Sequence, residues 1–127
     1  PIRRMASQTQ DILTHIDYDK VIAKRRANFE YLHQALGSHN QLVLPDLNAF
    51  ACPMVYPFIG CIDVDLRSKL IANKVFVARY WPNVINWAHP DDLEYTFTTR
   101  LIPLPIDQRY GKEDMDSIIE IINNTSE

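Results

Sequence analysis

The stretch Arg100-Leu-Ile-Pro-Leu-Pro-Ile-Asp-Gln-Arg-Tyr110, running into Lys112-Glu-Asp-Met-Asp-Ser-Ile-Ile-Glu-Ile-Ile122, constrains the fold more than any other. It reads as a short apolar strand over Leu101 to Leu104, stopped by prolines, that delivers a polar turn to a final amphipathic helix. Met115, Ile118, Ile119 and Ile122 recur at helical spacing and mark that helix's buried face. A companion segment is Val75-Phe-Val-Ala-Arg-Tyr-Trp-Pro-Asn83, a strand that ends in a cationic, aromatic, proline-blocked mouth. Its first four residues are uninterrupted apolar, the pattern of a strand covered on both faces.

Upstream, residues 3–37 read as a long helix with a joint. Met5, Ile12 and Ile16 lie on one face of its first part, and Asp17 offers a new N-cap. Tyr18, Ile22, Phe29, Leu32 and Leu36 then form one apolar stripe, and Gly37 ends it as a left-handed C-cap. After a loop with the run Leu42-Val-Leu44, Ala51 to Ile62 read as a strand in which Pro53 and Pro57 require an edge or a bulge. Asp63 is expected to cap a short helix through Leu66, Leu70 and Ile71, with Asn73 as its left-handed exit. His89-Pro90-Asp91-Asp92 has the grammar of a helix start, with Leu93 and Phe97 an apolar pair one turn apart. The expected class is α+β: a small, mostly antiparallel three-stranded sheet, helices packed mainly on one face, preceded by the long jointed helix.

A chain of 127 residues has room for one domain. With 46% hydrophobic and 23% charged residues its composition is that of a folded globule. A net charge of −3 gives no general attraction to nucleic acid or an acidic membrane. Lys20, Lys24, Arg25 and Arg26 cluster, but Asp17, Asp19 and Glu30 surround them, so they read as a solvated helix face. No window approaches the roughly 20 apolar residues of a membrane helix, and no signal-peptide pattern opens the chain. Cys52 and Cys61 are expected as free thiols. An opening at Pro1, with Arg3 and Arg4 already in a helical pattern, reads as a piece of a longer protein; Asn123 to Glu127 read as a natural polar tail.

Three blocks carry a family likeness: Ile16-Asp-Tyr-Asp-Lys-Val with Arg25-Arg-Ala-Asn-Phe-Glu-Tyr-Leu-His33, Val75 to Pro82, and Leu104 to Met115. In order and spacing they resemble the carboxyl-terminal part of fold type I pyridoxal-phosphate (PLP) enzymes. Within these the DegT/DnrJ/EryC1/StrS aminotransferases, which aminate keto-sugars attached to nucleotides, are the group most similar. The resemblance implies that residues 1–127 are the small domain of a larger cytoplasmic aminotransferase, a homodimer with PLP held elsewhere in the parent protein. Such a domain closes the active-site cleft and contacts substrate, while the Schiff-base lysine and its acidic partner lie in a large domain that this sequence does not contain. Lys20, Lys24, Lys69, Lys74 and Lys112 all sit in charged or helix-surface contexts, so the chain alone is expected to bind no PLP and to be inactive. Two rivals stand beside this reading: a stand-alone α+β interaction module, and a PLP-dependent dehydrase of the same fold.

The expected substrate-binding residues are Arg79, Tyr80, Trp81 and Arg100. Arg79 could meet an anionic group beside a stacking wall made by Tyr80 and Trp81, although such rings serve equally as core anchors. By the resemblance, Arg100 could grip a carboxylate as a fork. Asp107 and Arg109 read as a turn and helix-start network. His15, His33, His39 and His89 lack metal-ligand spacing, and no catalytic or metal residue is expected in this chain.

Overall fold

The computed structural model describes residues 4–48, 51–60 and 65–125. Helix α1 spans Ser7–Thr14 and α2 Tyr18–Leu36; strand β1 spans Val55–Phe58 and helix α3 Leu66–Ala72. Helix α4 follows at Leu93–Arg100, then strand β2 at Ile102–Pro105 and helix α5 at Lys112–Asn123. Short 3-10 turns occupy Gly37–His39 and Pro82–Asn86.

The α+β class holds, with two antiparallel strands among the described residues instead of three. The register pairs Val55 with Pro105, Tyr56 with Leu104, Pro57 with Pro103 and Phe58 with Ile102. Alternate pairs of an antiparallel ladder exchange both of their backbone hydrogen bonds, and the pairs between them point their amides outward. Prolines have no amide hydrogen, so the bonded pairs are Tyr56 with Leu104 and Phe58 with Ile102. Pro57, Pro103 and Pro105 then turn their blocked nitrogens to the outer edges, where a third strand would have to pair. That chemistry accounts for the fate of residues 75–80, which form no strand. They are also not covered on both faces: Val77 is buried, whereas Phe76 is 76% exposed.

The core lies where α2, α5 and one face of the ribbon meet. Phe29, Leu32 and Leu36 from α2 pack with Tyr56, Phe58, Ile102 and Leu104 from the strands and with Met115, Ile118 and Ile122 from α5. Leu70 of α3, Val77 and Ile106 complete it. Full burial of each such side chain is worth about 1.5–3 kcal/mol, enough to make the two helical stripes the main determinants of the fold. Phe29 meets the Tyr56 ring edge-on at 5.0 Å between centroids.

The helix expected over residues 3–37 is divided into two. At the break the Asp11 carbonyl lies 2.8 Å from the Thr14 hydroxyl, which donates to it, and 2.6 Å from the His15 ring. The Asp17 carboxylate caps α2 by accepting from the Lys20 amide at 3.0 Å, as expected. Ile12 of α1 and the flanking Met5 and Ile16 stay exposed among the described residues. Gly37 is not left-handed, with φ −58°; α2 tightens into a 3-10 turn there instead. A Cβ at Gly37 would approach the His33 ring to 3.2 Å, so close passage explains the glycine better than backbone sign.

Around α3, Asp63 lies outside the described residues, and the cap is Asp65, which accepts from the Ser68 amide at 3.1 Å. The left-handed exit falls one residue later than expected, at Lys74 with φ 64°, while Asn73 has φ −90°. Helix α4 starts after Asp92, whose carboxylate accepts from the His89 amide at 2.7 Å. Its apolar pair, Leu93 and Phe97, stays exposed. Cys52 is an exposed free thiol, and Cys61 lies outside the described residues.

Candidate functional site: a cationic aromatic mouth

The segment 75–80 leaves α3 with the Val75 amide donating to the Leu70 carbonyl at 2.9 Å. Val77 anchors it in the core. Beyond that anchor the chain presents Arg79, exposed, Tyr80, half-buried, and Trp81, 67% exposed. The Tyr80 and Trp81 rings are 5.5 Å apart, tilted by 53°. Trp81 has φ 47° and ψ 54°, a left-handed backbone that costs a non-glycine residue about 1–2 kcal/mol. Its carbonyl accepts from the Val84 amide at 2.9 Å, which opens the 3-10 turn at Pro82. A strand was expected here; the structure shows a loop whose Arg79 and Trp81 side chains are exposed, so neither serves the core.

The residue that sequence reasoning missed is Arg67, on the first turn of α3. One guanidinium nitrogen donates to the carbonyls of Val77, at 3.1 Å, and Ala78; the other donates to Leu101 at 2.9 Å. Burial, and after it the neighbouring Arg79 cation, push the Arg67 guanidinium down from its ordinary value, while Asp65 acts the other way. Asp65 is itself held below the usual carboxylate range, first by the Ser68 hydroxyl and then by the Ser68 amide. No periodicity or motif announces these contacts, because all three acceptors are backbone atoms distant in the sequence.

Arg100 is not brought into the mouth. It ends α4, and its guanidinium donates to the Gln41 side chain at 3.0 Å and to the Gly60 carbonyl at 3.1 Å. Those bonds tie α4 to the loop ahead of β1 and the turn after it. The basic face of α2 also differs from expectation. Arg25 donates to the Gln108 side chain at 3.0 Å and to the Pro53 carbonyl at 3.3 Å, and Arg26 donates to the carbonyls of Asn48 and Ala51. Both are half-buried clamps on the segment before β1 rather than solvated cations. Between them and the core, buried Asn28 donates to the carbonyls of Ile106, Asp107 and Tyr110 at 3.2–3.3 Å, fixing the turn that precedes α5.

Asp107 and Arg109 form the expected turn network. The Asp107 carboxylate accepts from the Arg109 backbone amide at 2.9 Å and from its guanidinium at 2.6 Å. The Arg109 side chain, chiefly through that hydrogen bond, lowers the Asp107 carboxyl below its ordinary value. The cap of α5, however, is Gly111, whose amide donates to Asp114 at 2.7 Å. His33 meets the buried Tyr56 hydroxyl at 3.1 Å, and Asn40 donates to the same oxygen at 3.4 Å; burial pushes the Tyr56 phenol up.

Two hollows lie away from the mouth. One of about 450 Å³ is lined by Lys69, Val75, Glu120 and Ile121; the other, of about 200 Å³, is lined by Phe29, His33 and Leu47. In the larger hollow the Ser117 and Thr125 hydroxyls also reach the lining, but they donate to the Glu113 and Ile121 carbonyls of their own helix region. Among the described residues no three His, Cys, Asp or Glu side chains are grouped as a metal set, and no described helix is long and apolar enough to cross a membrane.

A Schiff-base lysine works from an apolar pocket that keeps it neutral enough to attack. Lys20, Lys69, Lys74 and Lys112 are exposed; Lys24 is half-buried on α2 beside the Arg25 and Arg26 clamps. None has an enclosed apolar surround with a carboxylate opposite, so these residues do not fit the cofactor.

Comparison with known proteins gives the class to which this fold corresponds. A DegT/DnrJ/EryC1/StrS aminotransferase from Brucella abortus shares it with a TM-score of 0.66 at 18% identity, over 83% of this chain and 31% of that one. DesV of S. venezuelae, solved in complex with a ketimine intermediate, does so with a TM-score of 0.67 at 16% identity, over 86% of this chain and 33% of its own. The fold is therefore that of a part of DegT/DnrJ/EryC1/StrS aminotransferases, as the three sequence blocks led us to expect. The chain spans about a third of the length of these neighbours. No family model and no curated protein matches it.

Proposed function

We propose that this chain is the small domain of a larger PLP-dependent aminotransferase that aminates a nucleotide-linked keto-sugar or a related carbonyl. The observation that carries the reading is the pair of extents just given: nearly all of this chain corresponds to a minor share of each neighbour. On this reading a larger lobe, outside this sequence, holds PLP, supplies the reactive lysine and covers α1. The exposure of Met5, Ile12 and Ile16 supports such a lobe, because a self-sufficient interaction module would fold its own helical stripe inward.

The part played by this domain is positional. Arg79 supplies a positive charge for an anionic substrate group, and Tyr80 and Trp81 supply a flat wall beside it. Closure of the domain over the cleft orients substrate and excludes water; the electron-sink chemistry belongs to the cofactor. The parent assembly is read as a cytoplasmic homodimer.

The test is amination of a panel of nucleotide-linked keto-sugars by the complete gene product. Arg79→Ala and Trp81→Ala should each raise KM by about tenfold with kcat little changed, the signature of lost ground-state binding. Absence of amination, or unaltered KM in both variants, contradicts the proposal.

A further inference from the structure

We propose that Arg67 is the positioning residue of the mouth: it holds the Arg79–Trp81 segment in its strained, outward presentation. Three observations converge on it. Among the described residues the segment has no ladder partner, and the Val77 and Ala78 carbonyls are served by a side chain. One half-buried guanidinium takes two of those carbonyls and, on its other arm, the carbonyl of Leu101, the residue joining α4 to β2. The mouth is thereby tied to the sheet that its own backbone cannot join. Just beyond the clamp Trp81 adopts its left-handed conformation, which persists only where the surroundings over-determine it. Val77 in the core and Arg67 on the Val77 and Ala78 carbonyls fix the near end of the mouth, and the Val84 amide on the Trp81 carbonyl fixes the far end.

A planar guanidinium can serve three carbonyls in fixed directions, whereas an ammonium is a compact charge on a flexible stem. Arg67→Lys should therefore keep the charge and lose most of the clamp. The use of the mouth for substrate rests on the proposed function, but the clamp itself is read out without any ligand, so the two can fail separately.

The experiment compares hydrogen exchange and tryptophan emission in Arg67→Gln, Arg67→Lys and the reference variant Arg25→Gln. Arg25 is another half-buried arginine that holds a loop carbonyl, away from the mouth. The chain has two tryptophans, so a Trp87→Phe background leaves Trp81 as the sole reporter. Arg67→Gln should accelerate exchange across residues 76–81 by about tenfold or more and shift the Trp81 emission. Arg67→Lys should recover only a small part of both, and Arg25→Gln should change neither. Unchanged exchange and emission in Arg67→Gln, or full recovery by lysine, would overturn the assignment. So would loss of the whole fold in both Arg67 variants, since the arginine would then be a global strut rather than a local one.

Discussion

Asn28 and Arg67 perform one task with different chemistry. Each is a side-chain donor that gathers three backbone carbonyls from irregular chain, and each sits where a turn or loop must hold a shape its own backbone bonds do not impose. Asp107 does the converse, as an acceptor for the amide and guanidinium of Arg109. Its carboxyl is lowered in the folded chain, so its contribution to stability is present above the unfolded carboxylate range, about pH 4, and is lost as pH falls through the lower folded value. Asp107→Asn should therefore have a lower urea midpoint than the parent at pH 7, and the gap should narrow at about pH 3. A gap that is constant between those pH values would contradict the role assigned to the pair.

At the level of elements, the stripes of α2 and α5 were legible because burial of a helix repeats along the sequence: Phe29, Leu32 and Leu36, then Met115, Ile118 and Ile122, are all buried. The third strand was misread for a reason equally visible in the residues. The apolar run Val75 to Ala78 has strand character, but a strand needs a partner, and Pro57, Pro103 and Pro105 block the free edges. The arginine clamps were not legible, since a helix-surface Arg25 or Arg26 looks the same in sequence whether it faces water or a carbonyl far along the chain. The same holds for the left-handed Trp81, a conformation for which tryptophan carries no sequence signal. The two-stranded ribbon depends on its inner face. Leu104→Ala, at a fully buried position on that face, should cost about 2–5 kcal/mol in chemical denaturation. A loss below about 1 kcal/mol would mean that the ribbon is peripheral to the core.

For the whole molecule, the unequal finish of its surfaces carries the most meaning. The core between α2, α5 and the ribbon is closed, whereas α1 buries none of its residues and the mouth exposes Trp81. This pattern supports the proposed reading, in which the chain is one wall of a cleft and a larger lobe supplies the other. The five lysines of the chain follow the same division: they decorate surfaces and helix sides and do not enter a reactive pocket. The most direct test is borohydride trapping of PLP on the complete gene product, followed by peptide mapping of the modified lysine. The account predicts one trapped lysine per chain, lying outside the 127 residues described by this sequence. Stoichiometric trapping on Lys20, Lys24, Lys69, Lys74 or Lys112 would contradict it.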